Sequence, residues 1–60
     1  MTPKFSVGDT VECGLSKEQG LLISVYVEKD CVWYDVRFFK YGTMRVPEWD
    51  MQLSTYKEEL

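Results

Sequence analysis

The chain contains no histidine and only two cysteines, Cys13 and Cys31, which limits the chemistry available to it. Structural zinc sites use closely spaced cysteines, alone or with histidines, and two single cysteines 18 positions apart do not provide them. No nucleophile stands beside a general base, and no glycine-rich phosphate loop is present. We therefore predict a chain with no metal, no cofactor and no enzymatic activity.

Long apolar segments are also missing. The longest uncharged stretch, 20–27, is far shorter than the roughly 18 residues that a membrane span needs. Residues 1–5 lack the apolar segment of a signal peptide. We expect a soluble, cytoplasmic protein with reduced thiols and no membrane partner. Since no linker, repeat or biased tract interrupts the 60 residues, we predict one domain over 1–60, with a core over 5–53 and a frayed tail at 54–60.

Basic residues are outnumbered, because seven Lys and Arg stand against ten Asp and Glu for a net charge of −3. A protein that neutralises many phosphates is normally basic, so this balance disfavours nucleic-acid binding. The charge reverses in residues 33–45, where Arg37, Lys40 and Arg45 outweigh Asp35 for a local charge of +2. This segment is the part of the chain best suited to an acidic partner.

Alternation of apolar and polar residues with a period of two predicts strands in the middle of the chain. Over 31–39, one face is apolar and is expected to form the core: Val32, Tyr34, Val36 and Phe38. The other face should be exposed to solvent because it carries charges: Cys31, Trp33, Asp35, Arg37 and Phe39. Over 21–28, the expected core residues are Leu21, Ile23, Val25 and Val27.

Shorter strands are predicted on either side, at 10–13, 43–46 and 51–53. A single helical turn is predicted at 47–50, since proline at a first turn loses no hydrogen bond. The apolar residues of the last two strands should point inward: Met44, Val46, Met51 and Leu53. Trp49 is expected to cover the core, and Leu15 to pin the 14–20 loop onto it. Rolling five short antiparallel strands into a small barrel would remove most of the unpaired edges.

The order of the motifs resembles the SH3-like barrels of the Tudor and KOW type. The similarity runs over about 5–53: Phe5-x-Val7-Gly8-Asp9-x-Val11, Tyr34-Asp35-Val36-Arg37-Phe38, Gly42-Thr43 and Val46-Pro47-Glu48-x-Asp50-Met51. The resemblance implies an all-β fold, a five-stranded SH3-like (Tudor-like) barrel with a single helical turn before the last strand. It implies a binding role but names no ligand, since this barrel carries many unrelated functions.

A basic and aromatic group forms the candidate partner-binding site: Trp33, Arg37, Phe39, Lys40, Tyr41 and Arg45. Clustered exposed aromatics are typical of interfaces. Four rings could instead form an aromatic cage for a methylated side chain, as in Tudor domains: Tyr26, Trp33, Phe39 and Tyr41. The structural alternatives are that Trp33 packs under a loop or against Trp49, completing a small core, and that Asp35 pairs with Arg45 across the sheet.

Three functions follow from these residues. The first is a protein-binding adaptor or inhibitor that presents the basic-aromatic patch to a protein or peptide with an acidic contact surface. The second is binding of single-stranded RNA or DNA, with cations on phosphates and rings on bases. The third is a Tudor-like reader of a methylated side chain. Homo-oligomerisation is left open.

Overall fold

A computed structural model describes residues 2–54 as an all-β fold. The strands are β1 (Thr10–Cys13), β2 (Glu18–Val27), β3 (Val32–Phe38), β4 (Gly42–Pro47) and β5 (Met51–Leu53), with one 3₁₀ turn, η1, at Glu48–Asp50. The predicted five strands and single turn before the last strand are confirmed. Most of the predicted tail, 55–60, lies outside the described residues. Over 2–54, no helix has the length and apolar character needed to cross a bilayer.

The strands form one antiparallel sheet in the order β4-β3-β2-β1-β5. Pairing of β1 with both β2 and β5 brings the chain's last strand back beside its first. Over residues 2–54, β4 and β5 are the two edges of this sheet and are not paired with each other, so the sheet is open. This opening places the edge of β4 at the surface.

The core lies on one face of the sheet, here called the inner face. Strand β3 alternates as its sequence predicts, with Val32, Tyr34, Val36 and Phe38 buried and Arg37 exposed on the opposite, outer face. Core residues from the other strands pack against this row: Val11, Cys13, Leu22, Val46 and Met51, with Phe5 and Val25 at the margin. The register predicted for 31–39 is therefore confirmed.

Strand β2 departs from its predicted register. Leu22 is fully buried, whereas Leu21 and Ile23 are exposed, so the expected inward side of Leu21 and Ile23 is wrong. The cause is a β-bulge between Leu22 and Ser24, where β2 carries one residue more than β3. The extra residue in β2 moves the side chains after the bulge to the opposite face of the sheet. Val25 therefore packs against the core as predicted, whereas Val27, at the end of the strand, is exposed.

The two edge strands are less buried than their apolar residues suggest. Met44 lies opposite Val36 on the inner face but is 55% exposed, and Leu53 is also 55% exposed. The prediction that both are core residues is wrong, because each lies on an edge strand away from the position, Val46 in β4 and Met51 in β5, that packs into the core. Leu15 is fully exposed and does not pin its loop to the core, and Trp49 is 80% exposed rather than covering it.

A hydrogen-bond network joins the N-terminal segment, β3 and η1. The hydroxyl of buried Tyr34 donates to Glu48 Oε2 at 2.6 Å, and the Lys4 amide donates to the same carboxylate at 3.0 Å. The Phe5 ring meets Tyr34 edge to face at 5.6 Å. These contacts satisfy the polar end of a core aromatic and fix the position of η1, which carries Trp49.

Candidate protein-binding surface

The outer face of β2, β3 and β4 contains an internal polar network. Tyr26 donates a hydrogen bond to Asp35 Oδ2 at 2.8 Å, and Arg45 Nε lies 3.3 Å from Asp35 Oδ1. The Arg45 guanidinium lies 4.2 Å from the centre of the Tyr26 ring. The hydrogen bond between Arg45 and Asp35 raises the pKa of Arg45 above its ordinary value. The cross-strand pair that sequence analysis gave as the structural alternative is present. Arg45 is therefore already engaged within the chain.

The four candidate cage rings are divided among different places. Trp33 is half-buried between its cross-strand partners Tyr26 and Pro47. Phe39 follows the other end of β3, about 20 Å away along six residues of extended chain. Tyr41 lies beside Phe38, with ring centres 6.4 Å apart, and lines a groove that Phe39 does not. Within residues 2–54, no ring contact joins two of these four aromatics.

The turn between β3 and β4 presents three exposed residues in a row: Phe39, Lys40 and Tyr41. The Phe39 amide donates to the Gln19 carbonyl at 3.1 Å, and the Tyr41 hydroxyl lies 3.4 Å from Glu18 Oε2. Both contacts hold this turn against the start of β2. The β3–β4 turn therefore lies beside the β1–β2 turn at one end of the sheet.

The β1–β2 turn comprises residues 14–17 and carries Leu15 at its tip. The Lys17 amide closes the turn on the Gly14 carbonyl at 3.2 Å, with Lys17 itself in the left-handed region at φ 56°. The Gly14 amide donates to the Asp50 carbonyl at 3.1 Å. That bond brings η1 against the turn and places Trp49 close to Leu15.

Three shallow grooves meet at the β1–β2 turn. The first, here called the apolar groove, has a volume of about 250 Å³ and is lined mainly by Cys13, Phe38, Tyr41, Met44 and Val46, together with the charged residues Glu18, Asp50 and Arg45. The second lies between Phe39, Lys40 and Lys17. The third lies between Leu15 and Trp49. Gly14 and Asp50 line both the first and the third grooves, and Lys17 lines both the second and the third.

Five large apolar side chains are exposed around these grooves, and together they form what we call the turn-end surface: Leu15, Phe39, Tyr41, Met44 and Trp49. Phe39 and Tyr41 are among the contact residues predicted from the sequence, and Leu15, Met44 and Trp49 are not. A leucine between Gly14 and Ser16 at the tip of a polar loop was the available signal. The sequence does not distinguish Met44 and Trp49 from core residues, because their exposure depends on the tertiary positions of β4 and η1.

Charges around the three grooves cancel, because Lys17, Lys40 and Arg45 are balanced by Glu12, Glu18 and Asp50. Of the remaining predicted contact residues, Trp33 and Arg37 lie elsewhere, on the outer face of the sheet. Arg45 pairs with Asp35 on that face and also lines the apolar groove. The structure thus divides the predicted basic-aromatic patch into an outer face, which carries the arginines, and a turn end, which carries most of the exposed apolar area.

The two cysteines are free and differ in environment. Cys13 is buried beneath the apolar groove, and desolvation, together with the nearby Asp50 charge, raises its pKa to about 11. Such a thiol is a poor nucleophile at neutral pH.

In the described part of the chain, 2–54, no three His, Cys, Asp or Glu residues are grouped to hold a metal ion. Comparison with protein-family models, curated proteins and solved structures gives no match to this chain.

Proposed function

We propose that this chain is a non-catalytic binding module that recognises another protein through the turn-end surface. One observation carries the proposal: five large apolar side chains, three of them aromatic, are exposed around a single turn of a small domain. Burying such side chains against a partner is favourable at roughly 25 cal/mol per Å² of apolar area. Phe, Tyr, Trp and Met are also the residues enriched in protein interfaces.

The charge distribution favours a protein over single-stranded nucleic acid as the partner. Nucleic-acid surfaces need a surplus of cations near the stacking rings. At the turn end Lys17 and Lys40 are offset by Glu18 and Asp50, and Arg45 is paired with Asp35. The net charge of −3 adds a general repulsion from phosphates. An apolar contact flanked by balanced charges is the arrangement of a protein interface.

We place the chain with the SH3-like barrels of the Tudor and KOW type. The strand order β4-β3-β2-β1-β5 and the 3₁₀ turn between β4 and β5 support this assignment. The two free cysteines support a reducing compartment, so we assign the protein to the cytoplasm. Tyr26 and Trp33 are cross-strand neighbours, but Phe39 and Tyr41 lie beyond the other end of β3, and this division of the rings speaks against the methyl-reader hypothesis.

Site-specific photo-crosslinking tests the proposal. A photoreactive residue is introduced as Leu15→p-benzoylphenylalanine or Trp49→p-benzoylphenylalanine in the full chain expressed in its source cells. Matched controls carry it at Val7 or Val27, which are exposed apolar residues away from the turn end. We expect one and the same protein to be crosslinked from both turn-end positions and from neither control. Equal crosslinking from all four positions, or crosslinks mainly to nucleic acid, would refute the proposal.

A further inference from the structure

One hydrogen bond of the residue after β3 shows which residues of β4 point their N–H and C=O groups toward the open edge of the sheet. The Phe39 amide points to the Gln19 carbonyl of β2, and successive residues of a strand point their backbone groups to alternate sides. Odd-numbered residues of β3 therefore bond to β2, and even-numbered residues bond to β4. Since Val36 pairs with Met44, the Met44 backbone faces β3, and the backbones of Thr43 and Arg45 face the open edge.

Two features agree with this assignment. Pro47, like Thr43 and Arg45, is an odd-numbered residue of β4, so its backbone faces the open edge. A proline has no N–H to donate, and at this position no hydrogen bond to β3 is lost. Over residues 2–54, no backbone hydrogen bond outside the strand ladders involves Thr43 or Arg45. The edge of β4 thus offers two amides and adjacent carbonyls to an incoming strand. The other edge strand, β5, is only three residues long.

The free edge of β4 adjoins the apolar groove. Residues directly opposite each other in paired strands project to the same face, so a residue paired opposite Met44 would project to the inner face. There it would meet Met44, Tyr41 and Phe38, which line the groove. The next same-face residue of the added strand lies two positions along, over the groove that the acidic residues Glu18 and Asp50 line. Arg45 also lines this groove, but its guanidinium is hydrogen-bonded to Asp35.

We propose that the partner of the turn-end surface contributes an extended segment that adds to β4 as a sixth strand. Its backbone pairs with Thr43 and Arg45, an apolar side chain enters the groove opposite Met44, and a Lys or Arg two positions away faces Glu18 and Asp50. This inference rests on the proposed protein-binding function and specifies its mode. A second copy of the chain is the poorer occupant because it brings the same acidic pair and another net charge of −3.

The test starts from a phage-displayed library of random dodecapeptides selected on the immobilised full chain. Enriched peptides are synthesised, and their affinities are measured by titration calorimetry against the wild type, Thr43→Pro and Thr43→Ala. We expect enriched sequences to contain an apolar residue with Lys or Arg two positions away. Thr43→Ala, which keeps the amide, should bind as tightly as the wild type, and Thr43→Pro, which lacks it, roughly 2- to 12-fold more weakly for one lost hydrogen bond.

A second variant protects the test against misfolding of Thr43→Pro. Chemical synthesis of the 60-residue chain allows the Thr43 amide to be replaced by an ester, which removes the N–H and keeps the side chain. The ester chain should also bind more weakly, by roughly 2- to 12-fold for one lost hydrogen bond. Its fold is checked by far-ultraviolet circular dichroism.

The outcomes separate the binding mode from the binding function. Peptides that bind the ester and Thr43→Pro chains as tightly as the wild type would overturn strand addition, while crosslinking from Leu15 and Trp49 would leave the proposed function standing. A selection that enriches no sequence on the wild type over Thr43→Pro also overturns strand addition. Sedimentation of the wild type as a dimer that Thr43→Pro converts to a monomer would identify a second copy as the occupant and overturn the peptide assignment.

Discussion

Gly20 in β2 leaves no room for a side chain against β3, and Gly20→Ala should destabilise the fold strongly. A Cβ at this buried position would lie 2.7 Å from the Arg37 carbonyl oxygen, 2.7 Å from Val36 Cγ1 and 2.9 Å from Phe38 Cα. Ordinary contacts of a Cβ are at 3.4–4 Å. Two of the three clashing atoms belong to the backbone of β3, so a rotamer change cannot relieve them.

The expected cost follows from the distance by which the strands must separate. Opening the gap by several tenths of an ångström would stretch the hydrogen bonds between β2 and β3 beyond their usual 2.7–3.2 Å. Overpacking of this kind costs typically about 1–3 kcal/mol, and contact with backbone places Gly20→Ala toward the upper end. A 60-residue domain has a total stability of roughly 3–9 kcal/mol, so the variant should lose a large fraction of it.

Urea denaturation followed by tryptophan fluorescence measures this loss. With an m-value of about 1 kcal/mol/M for a domain of this size, Gly20→Ala should lower the denaturation midpoint by roughly 2–3 M at unchanged m. Ser24→Ala, in the same strand but on the outer face, is the control and should change stability by less than about 0.5 kcal/mol. A denaturation midpoint for Gly20→Ala within about 0.5 M of the wild-type midpoint would show that the predicted close approach of β2 and β3 is absent.

Two further predictions concern titration and thiol reactivity. Hydrogen bonds from Tyr34 and the Lys4 amide lower the pKa of Glu48 from its ordinary 4.5, so its stabilising contribution is complete above that pH and is lost as pH falls through the folded-state value. Thermal melts between pH 7 and 3 should therefore fall less steeply for Glu48→Gln than for wild type; parallel curves would contradict this. At pH 8, iodoacetamide should label half-exposed Cys31 and spare buried Cys13 until urea unfolds the chain, and equal labelling of both native thiols would contradict the burial.

The sequence predicted β3 correctly because its pattern admits only one register. Charged residues at Asp35 and Arg37 alternate with apolar ones, and burying the charges would be costly, so the core face is determined. Strand β2 offers no such constraint, since Leu21, Leu22 and Ile23 are all apolar. Either the odd-numbered or the even-numbered residues of this stretch could face the core. The bulge after Leu22 depends on fitting β2 against β3, and that information is not local to β2.

The candidate site was only partly predictable for a related reason. Phe39 and Tyr41 lie next to a glycine turn, and exposure at a turn can be inferred from sequence. The exposure of Met44 depends on the sheet remaining open beside β4, and that of Trp49 on the position of η1, which the Gly14–Asp50 hydrogen bond holds against the β1–β2 turn. Both are consequences of tertiary arrangement. The Asp35–Arg45 pair was foreseen as an alternative because cross-strand neighbours follow directly from the hairpin register.

The affinity of the crosslinked partner for two double variants tests the central claim most directly. Leu15→Ser with Trp49→Ser removes two apolar side chains from the turn-end surface, and Val7→Ser with Val27→Ser removes two exposed apolar side chains elsewhere. Interface anchors cost more than about 1 kcal/mol each when removed, so we predict binding weakened at least about 30-fold for the first variant and within about twofold of wild type for the second. Equal affinities of the two variants would contradict the assignment of the turn end as the binding surface.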